Sequence, residues 1–279
     1  MDIFKYLNSL DLRAMTLVAA RFRAVATSLL YHELSIGGWR ICRLLASIKM
    51  NPHNATIIKC IQIWLEPKFT PPETWEQLFV VLTHTQNLER LYISPSCSMN
   101  EVEWYPPPMP RLQILEFRKL RMSAQLAESL VALPELKCLK LGLIPRHCTV
   151  APNPYPASEH LTMIMNNLVE FEGSMTLTVY LRDYGKLRYL STSYYDDMEE
   201  EWRLLPQVAG ATLQFLRVRG VQIDSRHQFL SLASRFSALR FLGVIPLNIT
   251  EPPPEMVRNI VFAVEARISI RLPIERSRS

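Results

Sequence analysis

A six-residue template recurs along the chain, with apolar residues at its first, fourth and sixth positions. Eight copies fit it well, and two weaker copies fill the gaps between them. Because the fourth and sixth positions alternate with variable ones, each copy predicts a short strand that is buried on one side. The eight copies begin at Tyr31, Ile58, Leu88, Leu112, Leu136, Leu187, Leu213 and Leu239, and the weaker ones at Leu168 and Glu265.

The copies are spaced as in a repeat protein. The first and the last begin 234 residues apart, which is nine steps of 26 residues on average. Between copies, apolar residues recur every three or four positions, as on one face of a helix. Such helical patterns span residues 75–82, 123–134, 158–168, 227–236 and 254–264, whereas proline clusters such as residues 105–110 predict loops.

Each repeat therefore predicts a strand, a loop and a helix. One such unit cannot bury its own apolar side chains, so it must stack on its neighbours. The predicted fold class is α/β, as a solenoid with parallel strands on its concave face and helices on its convex face.

The strand template resembles that of leucine-rich repeats, most clearly in LERLYI, LQILEF, LKCLKL, LQFLRV and LRFLGV. The resemblance implies a leucine-rich-repeat domain over residues 31–272, followed by a tail over residues 273–279. The ninth repeat position, where the family keeps Asn or Cys, departs from this pattern and predicts degenerate repeats. It is occupied by Glu66, Ser96, Leu120, Ile144, Tyr195, Val221 and Leu247.

The first thirty residues lie outside the repeat and predict three short amphipathic helices, in DIFKYL, SLDLRAMTLVAARF and ARFRAVATSLL. So small a bundle buries little surface on its own. It must either dock on the solenoid or leave an apolar face for a partner.

This helical segment resembles the F-box, whose pattern continues from an apolar first helix into an Asp-Leu pair and then Val, a small residue, Arg and an aromatic. Here the pair is Asp11 and Leu12, and Val18, Ala19, Arg21 and Phe22 follow. The family's opening Leu-Pro-x-Glu-Ile segment is not in the chain, so residues 1–30 match an incomplete F-box. The run LLYHELSI resembles the junction of fungal F-box proteins that continue into leucine-rich repeats.

The resemblance implies a substrate-recognition subunit of an SCF-type cullin ubiquitin ligase, which itself catalyses nothing. The F-box would bind a Skp-type adaptor and, through it, a cullin, while the repeats would bind an unknown client protein. The adaptor contacts that it implies are Ile3, Phe4, Leu7, Leu12, Val18 and Phe22.

The concave face carries a candidate client site. The third template positions of three late repeats are Tyr189, Phe215 and Phe241, which predicts an aromatic column across neighbouring strands. Aromatic and arginine side chains dominate binding hot spots, because they combine large area with multiple hydrogen bonds. The alternative is that these aromatics only pack sideways within the sheet. The flanking arginines are Arg188, Arg217 and Arg240.

Further charges lie near this face. Basic residues at Arg90, Lys137 and Lys140 are opposed by several glutamates, and such mixed charge suits a protein partner. The acidic run over residues 194–202 predicts a solvated loop.

Composition excludes several function classes. The net charge of +5 is spread along the chain, and basic residues cluster only in the final RSRS, so a nucleic-acid partner is not expected. Five irregularly spaced cysteines indicate a reducing compartment, and His147 beside Cys148 has no second pair at zinc-site spacing. We expect no metal and no cofactor.

Enzyme and membrane functions are not expected either. The sequence has no GxSxG, GxxxxGK[ST], GxGxxG or HExxH motif. No signal peptide and no apolar run of about 18 residues is present, which predicts a cytoplasmic or nuclear protein without a membrane partner. The alternative to a ligase subunit is a leucine-rich-repeat scaffold or regulator whose N-terminal helices cap the solenoid.

Overall fold

The structure is a computed structural model. It describes residues 9–18, 20–37, 40–65, 73–95, 104–117, 124–141, 167–173, 186–193, 199–221, 234–246 and 261–263. Its helices are α1 (Ser9–Val18), α2 (Ala20–His32), α3 (Arg40–Met50), α4 (Glu73–His84), α5 (Ala124–Val131) and α6 (Glu199–Ala209), with a 3₁₀ helix over Pro52–Ile57. Its strands are β1 (Glu33–Gly37), β2 (Cys60–Leu65), β3 (Arg90–Pro95), β4 (Ile114–Phe117), β5 (Cys138–Lys140), β6 (Glu170–Gly173), β7 (Tyr189–Ser193), β8 (Phe215–Val221), β9 (Phe241–Pro246) and β10 (Val261–Ala263).

All the described strands form one open sheet, and their order in the sheet is their order along the chain. Strands β1 to β9 are parallel, while β10 is antiparallel to β9. Each template copy from Tyr31 to Leu239 therefore supplies one strand of a continuous parallel sheet. This architecture is compatible with a solenoid.

A repeated backbone contact sets the register. The carbonyl at the second template position accepts the N–H groups of two successive residues in the next repeat, for example Lys59 O from Glu89 N and Arg90 N at 2.9 and 3.0 Å. The same pair of bonds recurs at each described step from β2 to β9. Because the register is the same at every step, equivalent template positions line up in rows across the sheet.

The core lies on one face of this sheet. The first and fourth apolar positions of every copy from Ile58 to Leu239 are buried, as the template predicts. They join one apolar cluster with side chains from the helices, including Ile48 of α3, Leu82 of α4, Leu130 of α5 and Leu205 of α6. The helices thus cover the core face, and the other face, here called the open face, is left to the variable positions.

Helices α4 and α5 confirm two of the predicted helical patterns. Helix α3 was not predicted, although Leu45 and Ile48 stand three apart and are both buried. The patterns over 158–168 and 227–236 lie mostly outside the described residues, and their described ends, residues 167–168 and 234–236, are not helical. No helix in the described part of the chain is both long and apolar enough to cross a lipid bilayer.

Part of the acidic run over 194–202 is helical, so its prediction as a loop is wrong from Glu199 onward. Helix α6 begins there because a row of glutamates favours a helix N-terminus, and Trp202 anchors its first turns in the core. Pro206 within the helix hides the helical pattern in the sequence. The helix ends three residues later, where Gly210 N donates to Pro206 O at 3.0 Å.

A proline-rich segment covers the core between β3 and β4. Residues 104–113 contain no helix, and they bury Trp104, Pro106, Pro107 and Met109. The indole of Trp104 lies 6.4 Å from that of Trp75 on α4 and 5.3 Å from the ring of Phe117 on β4, between ring centroids. Proline cannot supply the N–H groups of a helix, but its ring still buries apolar area.

The predicted helix over 254–264 is wrong at its C-terminal end, where Val261–Ala263 form β10. The run of β-branched and aromatic residues there favours a strand, and β9 offers it an unpaired edge. The predicted strand that begins at Glu265 lies outside the described residues.

The weak copy LVEFEG has a physical explanation in Gly173, which stands where the template expects an apolar side chain. A Cβ built on Gly173 would lie 2.5 Å from Cζ of Phe171. The fully buried Phe171 ring therefore fills the space of both template positions.

Helices α1 and α2 occur where the second and third N-terminal helices were predicted, and they pack on each other. Leu12 of α1 and Ala26 of α2 are buried, apart from the main core. Helix α2 leads directly into β1 and also contacts the 3₁₀ helix, so it lies beside the end of the sheet that β1 forms.

Candidate interaction surface

The open face presents two rows of variable side chains. The first row holds the third template positions, and the second row holds the fifth. In strand order the first row is Glu33, Cys60, Arg90, Ile114, Cys138, Glu170, Tyr189, Phe215 and Phe241. The second row is Ser35, Gln62, Tyr92, Glu116, Lys140, Glu172, Ser191, Arg217 and Gly243.

The predicted aromatic column is brought together by β7, β8 and β9. The rings of Tyr189 and Phe215 stack with centroids 4.5 Å apart and planes 11° apart. Phe215 and Phe241 are 6.0 Å apart and tilted by 36°. Tyr189 is 41% exposed, and the two phenylalanines are half-buried. These three residues are called the aromatic column below.

The three predicted arginines border the column on both sides, and all are exposed. Arg217 lies in the second row of the open face, next to the column. Arg188 and Arg240 precede β7 and β9, so they lie along the amino-terminal edge of the sheet, with Gln214 between them. No ion pair joins these arginines to any carboxylate that the structure describes.

Basic and acidic residues elsewhere on this face neutralise each other. Lys59 and Glu89 lie 2.8 Å apart at the amino-terminal edge, and Lys140 and Glu170 lie 2.7 Å apart. The hydrogen bond from Lys59 holds the pKa of Glu89 below its usual value. Of the predicted basic residues, Lys140 is therefore neutralised by a glutamate, whereas Lys137 donates a hydrogen bond to Oε1 of Gln113 at 3.4 Å.

Two further ion pairs each bridge across an intervening strand. Arg90 on β3 pairs with Glu33 on β1, above Cys60 of β2, which is the neighbour of both in register. Arg219 on β8 pairs with Glu172 on β6 at 3.3 Å, across β7. These bridges close parts of the open face to a partner.

The ion pairs also explain why two cysteines of the open face are buried. Burial raises the pKa of the Cys60 thiol, and the charge of Glu33 adds to this while Arg90 opposes it. Burial together with the charge and hydrogen bond of Glu170 raises the pKa of Cys138 to about 12. A buried thiol with a raised pKa forms little of the reactive thiolate.

Alkylation should therefore discriminate among the cysteines. Treated with iodoacetamide near pH 8, the native chain is expected to react at half-exposed Cys42 and to protect Cys60 and Cys138. Peptide mapping by mass spectrometry measures this, with a urea-unfolded sample as the control in which all sites react. Glu170→Gln should speed labelling of Cys138. Labelling of Cys138 as fast as Cys42 in the parent chain would contradict the expectation.

A shallow depression on the open face was not predicted. It has a volume of about 230 Å³ and is lined by Gln62, Ile63, Trp64, Tyr92, Ile93, Ser94 and Glu116. Trp64 is 47% exposed, although tryptophan favours buried positions. Trp64 occupies a seventh template position, so extending the template by one residue would have singled it out.

The predicted adaptor residues are only partly described. Ile3, Phe4 and Leu7 lie outside the described residues, and Val18 ends α1. Leu12 is only 7% exposed and Phe22 is half-buried, whereas Leu10, which was not predicted, is 70% exposed. An adaptor that contacts α1 would therefore meet Leu10 before Leu12.

Comparison with known proteins supports the architecture alone. No protein-family model and no curated protein matches the chain. A crystal structure of a Bacteroides fragilis protein, determined as a structural genomics target, has a similar fold with a TM-score of 0.50. The match covers 80% of this chain and 67% of that chain at 15% sequence identity. At this identity the likeness shows the fold, an open α/β sheet that fits a repeat solenoid.

Proposed function

We propose that the chain is a non-enzymatic recognition subunit whose open face binds a protein client. The observation that carries this proposal is the aromatic column, which is partly exposed and bordered by exposed arginines. Exposed aromatic side chains beside arginines are typical of protein-binding hot spots. A continuous sheet face also offers one rigid surface on which such side chains keep their positions.

The repeats are proposed to be degenerate leucine-rich repeats. Support comes from the template itself and from the buried first and fourth positions of each described copy from Ile58 to Leu239. The recurring backbone contact before each strand adds to this support.

The role proposed for the recognition subunit is in an SCF-type cullin ubiquitin ligase. The F-box resemblance of residues 1–30 supports it, with a Skp-type adaptor bound by the N-terminal helices and a cullin recruited through the adaptor. Such a subunit would act in the cytoplasm or the nucleus.

A specific observation favours a scaffold without a ligase role as the second candidate. Helix α2 contacts the 3₁₀ helix, and Tyr31 at its end packs against the main core, as expected if the N-terminal helices cap the repeat domain. Solenoid ends need such covering to stay soluble.

A pull-down with purified Skp adaptor separates the two candidates. We expect the parent chain to bind and Leu10→Asp to lose at least tenfold in affinity, because a charge would replace an exposed apolar contact. Met50→Asp is the matched control, because Met50 is also exposed, at 85%, but lies on α3. Leu12→Asp is unsuitable, because a buried charge would disrupt the packing of α1 on α2.

Circular dichroism of each variant checks that it is folded. A folded parent chain that does not bind the adaptor would reject the ligase role and leave the scaffold. Equal loss of binding in Leu10→Asp and Met50→Asp would show that the loss is not specific to α1.

A further inference from the structure

The ring edges of the aromatic column face outward. Side chains of a strand stand roughly perpendicular to the sheet. The rings of Tyr189 and Phe215 stack face to face along the row, so each covers one face of the other. A partner that approaches from solvent therefore meets ring edges, which carry the positive end of the aromatic quadrupole.

The charges around the column have the same sign as those edges. Arg217 lies on one side, and Arg188 and Arg240 lie on the other. The nearest described glutamates of the open face, Glu170 and Glu172, are paired with Lys140 and Arg219. The column is thus a locally cationic patch, whereas the rest of the described open face is balanced.

The ring of Phe241 packs closely over Gly243 at the end of the column. Gly243 follows Phe241 on the same face, and a Cβ there would lie 3.1 Å from Cε1 of Phe241 and 3.7 Å from Cγ of Arg217. The Phe241 ring therefore already occupies the space that a side chain at Gly243 would need.

We propose that the aromatic column and its three arginines bind an extended acidic segment of the client, in which an aromatic residue is flanked by Asp or Glu. This inference rests on the proposed client-binding role of the open face. The face of the client's aromatic ring packs on the outward ring edges, and its carboxylates pair with the arginines, which bind carboxylates through two parallel hydrogen bonds.

The dimensions fit a short motif. Ring centroids are 4.5 and 6.0 Å apart along the column, so it extends about 10 Å, which is the length of about three extended residues. One aromatic residue over the column then places its neighbours next to the arginines on either side.

Single-stranded nucleic acid is the competing partner, because it too binds arginine and aromatic side chains on sheets. Bases stack on exposed ring faces. The stacking of Tyr189 on Phe215 removes faces that bases would need, so the geometry favours the acidic peptide.

The test is a selection of random octapeptides by the purified full chain, without adaptor. We expect the selected peptides to be enriched in an aromatic residue next to Asp or Glu. A fluorescein-labelled copy of the best peptide then gives the affinity by fluorescence polarisation. This affinity is expected to fall as salt is raised from about 50 to about 500 mM, because ions screen exposed charges.

Charge reversal provides the specific test. Arg217→Glu should lower the affinity for the labelled peptide by about tenfold or more, because a like charge then faces the carboxylates. Arg111→Glu is the matched control, since Arg111 is exposed but lies in the turn before β4, and it should change the affinity by less than about twofold.

Several outcomes would overturn the inference. The inference fails if the selected peptides show no acidic enrichment, or if a folded chain selects no peptide at all. It also fails if Arg217→Glu binds the labelled peptide as tightly as the parent chain does. A labelled oligouridylate that binds more tightly than the peptide, and loses its binding in Arg217→Glu, would identify nucleic acid instead. Adaptor binding is measured separately, so the ligase role and the peptide motif can fail independently.

Discussion

Phe117→Ala is expected to lower the free energy of unfolding by roughly 3–5 kcal/mol, the usual loss for a fully buried phenylalanine. Phe117 is 0% exposed, and its ring stacks on Trp75 with centroids 5.9 Å apart and planes 20° apart. It also contacts Trp104, so one side chain joins α4, β4 and the proline-rich segment. Truncation would leave a cavity where all three meet.

Urea unfolding measures this loss as a lower midpoint with an unchanged slope. Circular dichroism and tryptophan fluorescence should be followed together, because repeat arrays can unfold in parts. Tyr105→Ala is the matched control: Tyr105 packs edge-on against Phe79 in the same region but is 39% exposed. It should lose about 1 kcal/mol. Equal losses in the two variants would contradict a core role for the Phe117 cluster.

Gly173→Ala is expected to destabilise the chain by roughly 1–3 kcal/mol, because the added methyl overpacks the core. The new Cβ would lie 2.5 Å from Cζ of Phe171 and 3.2 Å from each Cε atom of the same ring. Phe171 is fully buried, so its ring cannot turn away without moving its neighbours.

Two comparisons make this prediction specific. Gly37→Ala is the matched strand glycine, because its added Cβ would meet nothing closer than 3.6 Å, and it should be neutral or slightly stabilising. The double variant Phe171→Leu with Gly173→Val restores the ordinary template and should recover part of the stability lost in Gly173→Ala. Additive losses in a double-mutant cycle would show that Phe171 and Gly173 do not share one space.

The sequence predicts much of the candidate site and misses the rest for two reasons. The aromatic column follows from the template, because residues at equivalent positions of parallel strands become neighbours. The ion pair of Arg90 with Glu33 does not follow, because it skips a strand and joins residues 57 apart in the chain. Trp64 is not predicted by the template because it lies one position beyond its end.

The sequence by itself determined where the described strands β1 to β9 lie and which of their residues face the core, because side chains alternate along a strand within a few residues. Tertiary structure alone decided that prolines and Trp104 cover the core between β3 and β4, that β10 pairs antiparallel to β9, and that Leu12 is buried. Each of these depends on a surface made by residues elsewhere in the chain. Local patterns cannot encode such surfaces, because burial and strand pairing are properties of the assembled sheet.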